Sequence, residues 1–149
     1  MLRGLDPLLS PDLLHMLAAM GHGDDLVIAD ANFPAESCAR RLVRLDGVTA
    51  TGALNAVLGL LPLDTFVDDP ARVMGVVGDP EAVPPVVAEF QTIIDQVADA
   101  PAPIRAVDRF DFYDVARAAF GVVLTGETRL YGNIIVKKGV VAPSDGGAQ

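Results

Sequence analysis

The chain predicts an α/β fold: a single three-layer α/β/α domain over residues 1–141 around a mainly parallel central sheet. Three observations carry this. Short runs rich in valine and isoleucine alternate along the chain with longer stretches whose apolar residues recur at helical spacing. The 149 residues are about one domain in length, and 51% of them are hydrophobic, with a mean hydropathy of +0.39. No internal repeat and no composition shift marks a second unit.

The elements follow in order. Leu2, Leu5, Leu8 and Leu9 lead into a first helix that Ser10 can cap and Pro11 can open. Leu13, Leu14, Leu17, Ala18 and Met20 give it one apolar face, and Gly21 or Gly23 supplies the left-handed stop. Leu26-Val27-Ile28-Ala29 is a short covered strand, ended by Asp30 and broken by Pro34. Residues 41–45 alternate polar and apolar, as a half-exposed strand does, and Asp46-Gly47 turns the chain. A second helix covers 50–61, with Thr49 or Thr51 as its cap. Residues 72–77 form a third strand, stopped by Gly78-Asp79-Pro80.

Pro84 and Pro85 open a third helix carrying Val86, Val87, Phe90, Ile93, Ile94 and Val97. A stiff connector, Ala100-Pro101-Ala102-Pro103, leads to a weak strand over 104–107. A fourth helix spans 108–120, with Phe112, Ala116, Ala119 and Phe120 on one face and acidic Asp108 and Asp111 at its positive end. Val122-Val123-Leu124 and Ile134-Ile135-Val136 are strands, separated by the turn at Thr125-Gly126-Glu127. Four or so strands with long apolar helices make the sandwich. The small, polar residues 142–149 read as a disordered tail.

Composition excludes several classes of function. A formal net charge of −9 argues against a nucleic-acid partner, which needs clustered Lys and Arg. No apolar run approaches the roughly 20 residues that span a bilayer, and no leader pattern opens the chain, so we expect no membrane and a cytoplasmic location. One cysteine, Cys38, fits no redox or zinc spacing. His15 and His22 are seven apart across a helix stop and are no zinc pair, so His15 reads as structural or exposed. No phosphate-cradling glycine loop exists, which weakens nucleotide binding. No cofactor is expected.

The residues that can carry chemistry fall at element ends. His22 sits between two glycines, and Asp30, Asp64, Arg109, Tyr113, Tyr131 and Asn133 lie near other boundaries. Carboxylates and an amide suit sugar hydroxyls, arginine donates in a fixed fork, and tyrosine offers a ring and a hydroxyl. Each alone has a bland alternative as a cap, a surface ion pair, a core residue or a turn residue.

Five blocks stand in order: Met20-Gly21-His22-Gly23-Asp24, Asp30-Ala31-Asn32-Phe33-Pro34, Leu61-Pro62-Leu63-Asp64, Arg109-Phe110-Asp111-Phe112-Tyr113, and Thr125-Gly126-Glu127 followed by Tyr131-Gly132-Asn133-Ile134. Together they resemble the fucose mutarotase family, within the wider group that includes the D-ribose pyranases. The resemblance runs from Leu8 to Gly139, though residues 78–103 match in length more than in kind. It implies the ribose pyranase/fucose mutarotase-like fold, with His22 as the catalytic proton donor. It implies sugar contacts at Asp30, Asp64, Met74, Arg109, Tyr113, Tyr131 and Asn133. Other members carry His where this chain has Asn32.

The activity implied is interconversion of the α- and β-anomers of L-fucose, or of a close aldopyranose, by acid/base-assisted ring opening and closing. Histidine suits the work because imidazole titrates near neutral pH. We expect His22 to act on the ring oxygen and Asp30 to orient it or hold a neighbouring hydroxyl. The base is Tyr131, a water, or His22 acting twice. The partner is a monosaccharide, L-fucose, and the resemblance implies a homo-oligomer, decameric in many bacterial members, with sites near subunit contacts. The alternatives are a D-ribose pyranase and a non-catalytic monosaccharide-binding module.

Overall fold

A computed structural model of the chain describes residues 1–144. The first helix, α1 (Pro11–Ala19), is capped as the sequence dictates: the Ser10 hydroxyl accepts from the Leu13 N–H at 3.2 Å. Met20 ends it in extended conformation, and Gly23, at φ +85°, makes the turn into β1 (Asp25–Ala29). A one-turn helix, α2 (Ala35–Cys38), follows Pro34 where the sequence suggested only a break. Next come β2 (Leu42–Leu45) and α3 (Ala50–Leu58), whose cap Thr49 accepts from the Gly52 N–H. Helix α3 ends short of residue 61, in a turn before Pro62.

Strand β3 (Ala71–Met74) stops earlier than expected because residues 76–79 fold into a turn, with Gly78 at φ +81°. Helix α4 (Pro85–Val97), edge strand β4 (Arg105–Val107) and α5 (Arg109–Ala118) follow, the last capped by Asp108. The chain closes with β5 (Gly121–Thr125) and β6 (Ile134–Lys137). Of the tail expected at 142–149, residues 145–149 lie outside the described residues.

Six strands, rather than four or so, form one sheet in the order β2-β5-β1-β6-β3-β4. The pairs β2–β5, β5–β1 and β3–β4 are parallel, whereas β6 runs against both neighbours. The reason lies in connection length. A parallel return needs a crossover of a dozen or more residues, and only residues 126–133 join β5 to β6.

Strand side chains alternate between two cores, which makes the three layers. Leu26, Ile28, Val123, Ile134 and Val136 face α1, α3 and α4, where Leu13, Leu54, Phe90 and Ile94 are fully buried. Val27, Ala29, Val122, Leu124 and Ile135 face α2 and α5, against Cys38, Phe112 and Ala116. Among the described residues, no helix is long and apolar enough to cross a membrane.

Candidate functional site

Strands β1 and β5 end together at one edge of the sheet, and the loop 126–133 folds back over that edge before β6 descends. Ligands of open α/β sheets bind beyond such carboxyl ends. Here Asp30 meets Asn133. The Asp30 N–H donates to Asn133 Oδ1 at 2.7 Å, and Asn133 Nδ2 donates back to Asp30 Oδ2 at 3.1 Å. The other carboxylate oxygen accepts from the Asn32 N–H at 2.9 Å. Burial pushes the Asp30 carboxyl above its ordinary value, and the nearby charge of Glu127 adds to this. Donation from Asn32, Asn133 and Phe33 holds the rise back.

Around this pair lies an open hollow of about 230 Å³, lined by Asp30, Asn32, Phe33, Met74, Tyr113, Leu130, Tyr131 and Asn133. It is smaller than the roughly 300–1,000 Å³ of sites for drug-sized ligands, which matches a single sugar ring better than a nucleotide. Tyr113 stacks on Phe33 at 5.7 Å, so one wall is aromatic. Tyr131 has φ +63°, a left-handed conformation rare for a large side chain and the kind of backbone outlier that gathers at functional sites. Its hydroxyl oxygen accepts from the Val77 N–H at 3.2 Å, leaving the O–H proton free to donate.

The loop that carries Tyr131 and Asn133 is held by a half-buried ion pair with a buried carboxylate. Glu127, 2% exposed, accepts from Arg129 Nε at 3.0 Å and from the Ala50 N–H at the start of α3. Arg129 also pairs with Glu89 on α4. The Arg129 guanidinium holds the Glu127 carboxyl below its ordinary 4.5, overriding the upward push of burial. A carboxyl titrating lower in the folded state contributes its full stability above the unfolded value and loses it as pH falls through the folded one. Glu127→Gln is therefore expected to cost about 2 kcal/mol near neutral pH. The gap between variant and wild type in urea unfolding should close as pH drops below 4.5.

His22 and Asp64 are not at this edge. Lys138 pairs with Leu63 at the far end of β6, the Gly23 N–H donates to the Lys138 carbonyl, and the Asp64 N–H donates to that of Lys137. His22 precedes β1 and Asp30 follows it, so the five residues of β1, about 16 Å of extended chain, stand between them. Within the chain Asp30 does not reach His22, whereas Asp64 does. His22 Nε2 lies 3.0 Å from Asp64 Oδ1, and Phe66 packs on the imidazole at 5.0 Å.

Arg109 also departs from the expected set. It lines a neighbouring hollow of about 410 Å³ with Val77, Phe110 and the turn at Gly75–Gly78. The Tyr131–Val77 hydrogen bond connects the two hollows. His15 is exposed on α1, and Cys38 is buried and free. Among the described residues, no group of three or more His, Cys, Asp and Glu side chains is placed to hold a metal ion.

Sequence reading missed Phe66, Leu130 and the Glu127–Arg129 pair. Phe66 was within reach, two residues after Asp64. The network around that pair was not: Glu127 and Arg129 are neighbours, but Ala50 and Glu89, which they also bind, are far away in the chain. The separation of His22 from Asp30 was legible too: eight residues containing a strand cannot leave both ends at one point.

The chain is also similar to proteins of known name. The chain is 49% identical over 147 residues to the fucose mutarotase of Homo sapiens, covering 95% of each chain. It is 45% identical over 141 residues to the L-fucose mutarotase of Histophilus somni (strain 2336), covering 94% of this chain and 97% of that one. Its structure superposes on that of the fucose mutarotase in complex with L-fucose from Streptococcus pneumoniae with a TM-score of 0.88 and 42% identity, over 95% of this chain and 100% of that one. A family model described as the RbsD / FucU transport protein family matches residues 3–141, and the chain belongs to that family.

Proposed function

We propose that this chain is an L-fucose mutarotase whose active site is assembled from two subunits. The observation that carries the reading is the split. One edge of the sheet holds a hydrogen-bonding hollow without a histidine, and the opposite edge holds an imidazole, 44% exposed, on a buried carboxylate. Each edge has half of what ring opening needs. Named fucose mutarotases among the relatives, one of them bound to L-fucose, supply the substrate.

The sugar lies in the hollow against Tyr113 and Phe33. Asp30 and Asn133 hold hydroxyl groups, and Tyr131 donates from above. His22 of the adjoining subunit gives its proton to the ring oxygen as the bond from that oxygen to the anomeric carbon breaks. A base takes the anomeric hydroxyl proton. The aldehyde rotates about the bond to the next carbon, and the steps reverse on the other face. Protons move and return, and no electrons are exchanged.

Two different edges meeting make a head-to-tail contact, which closes into a ring when the rotation allows it. Large apolar side chains stand exposed on both edges: Phe66 at 75% beside His22, and Leu130 at 72% beside the hollow. A ring of copies, two of them in a decamer, would bury both. We place the protein in the cytoplasm, where a free cysteine stays reduced.

Mixing two inactive variants tests the split. His22→Ala and Asp30→Asn, dissociated and reassembled together, should regain about a quarter of wild-type exchange activity, because one random contact in four unites an intact His22 with an intact Asp30. Activity that never rises above that of the separate variants refutes the shared site. Light scattering gives the subunit number. Saturation-transfer NMR on fucose and on ribose separates a mutarotase from a pyranase, and a protein that binds fucose without speeding exchange is a binding module only.

A further inference from the structure

We infer that Asp64 is a positioning residue that holds His22 as its Nε2–H tautomer, so that Nδ1 is the atom exchanging protons with the sugar. The inference rests on the mutarotase reading and names the working atom of its acid.

The side chain of Asp64 is 2% exposed, while that of His22 above it is 44% exposed. A sugar approaching from a neighbouring subunit meets the imidazole and not the carboxylate. The contact implied for Asp64 by resemblance is therefore indirect. Asp64 is also fixed from behind. Its N–H is bonded to the Lys137 carbonyl at 3.0 Å, and the Gly139 backbone packs so close that an added Cβ there would stand 2.8 Å from the Asp64 Cα. Such anchoring on rigid elements is what keeps a working group in place.

The protonation pattern follows from the donor inventory. Asp64 Oδ1 accepts from the Phe66 N–H at 3.2 Å and lies 3.0 Å from His22 Nε2. Burial pushes the Asp64 carboxyl up, but donation from Phe66, His22 and Thr65 outweighs burial, so it sits below its ordinary value and is ionised at neutral pH. An ionised carboxylate only accepts, so Nε2 must carry a hydrogen. In the neutral ring the lone pair is then on Nδ1. Among the described residues nothing else hydrogen-bonds the imidazole, and the Phe66 ring, tilted 56° to it, covers one face.

The consequence is a single atom with both roles. Neutral Nδ1 takes a proton, and the imidazolium so formed is offset by the Asp64 charge. Protonated Nδ1 gives the proton to the ring oxygen. Anomer exchange needs this reversal in every cycle, because ring closure is the mirror of ring opening. A histidine whose other nitrogen is permanently engaged can perform both halves without turning its ring.

The test reads tautomer and activity separately. In ¹⁵N-labelled wild type without sugar, two-bond proton–nitrogen correlations should show hydrogen on Nε2 and none on Nδ1 of neutral His22. The reverse pattern overturns the inference, whatever any variant does. In Asp64→Ala nothing accepts from Nε2, so the ring hydrogen is no longer held there and Nδ1 carries it in part of the population. We expect kcat for fucose exchange to fall by about 10²–10⁴-fold, with KM within about twofold of wild type. Asp64→Glu keeps an anionic acceptor and should retain the wild-type tautomer. A raised KM at unchanged kcat would make Asp64 a direct sugar ligand and overturn the inference. Wild type without exchange activity refutes the mutarotase reading; the wrong tautomer refutes this one.

Discussion

Replacing His22 by alanine is expected to slow fucose anomer exchange by about 10²–10⁴-fold, the usual worth of a positioned proton donor. The effect should lie in kcat. The hollow around Asp30 and Asn133 is built by β1, β6 and the loop 126–133, none of which leans on the imidazole. Sugar affinity should therefore survive. The fold should survive as well, because the side chain is 44% exposed. The one structural debt is at Asp64, which loses a donor but keeps the Phe66 N–H, so the loss of stability should be about 1 kcal/mol. Saturation-transfer NMR at equal protein concentration measures the rate, and thermal unfolding checks the fold. A His22→Ala protein that exchanges anomers at the wild-type rate removes the histidine from the mechanism.

The largest stability effect is expected at Gly126. A Cβ built there would stand 2.1 Å from the Asp46 carbonyl oxygen and 3.1 Å from its carbon. Both atoms are backbone, so no side chain can swing aside. The glycine N–H also donates to the Val48 carbonyl at 2.8 Å, which ties the end of β5 to the turn after β2. Gly126→Ala must push these two segments apart and break that bond. We expect a cost of about 3–5 kcal/mol, in the range reserved for strain that cannot relax. Because Gly126 opens the loop that carries Tyr131 and Asn133, sugar binding should weaken in whatever protein still folds. Gly47 is the control. It has open space around its Cβ position, so Gly47→Ala should change stability by less than about 0.5 kcal/mol. Equal melting temperatures for the Gly126 and Gly47 variants would show that the close packing at Gly126 is not real.

Local chemistry was legible without coordinates. Ser10 and Thr49 are caps because each places an oxygen over free N–H groups one turn away, and that geometry needs only neighbouring residues. The alternation of strands and helices gave the layers, since period alone assigns a side chain to a face. The short link after Thr125 even contained the reason that β6 runs antiparallel. The five sequence blocks gave the family.

Other features depended on the tertiary structure. The Glu127–Arg129 pair is local, but its further bonds to Ala50 and Glu89 join segments distant in sequence, and no local pattern records that meeting. The partner of His22 is Asp64, 42 residues away, and not the nearby Asp30, because an extended strand carries its two ends apart whereas sheet pairing brings strangers together. Sequence determined which groups the protein possesses and which elements bear them. Only the folded sheet, by stretching β1 between its two polar ends, decided that His22 with Asp64 and Asp30 with Asn133 stand at opposite ends of it.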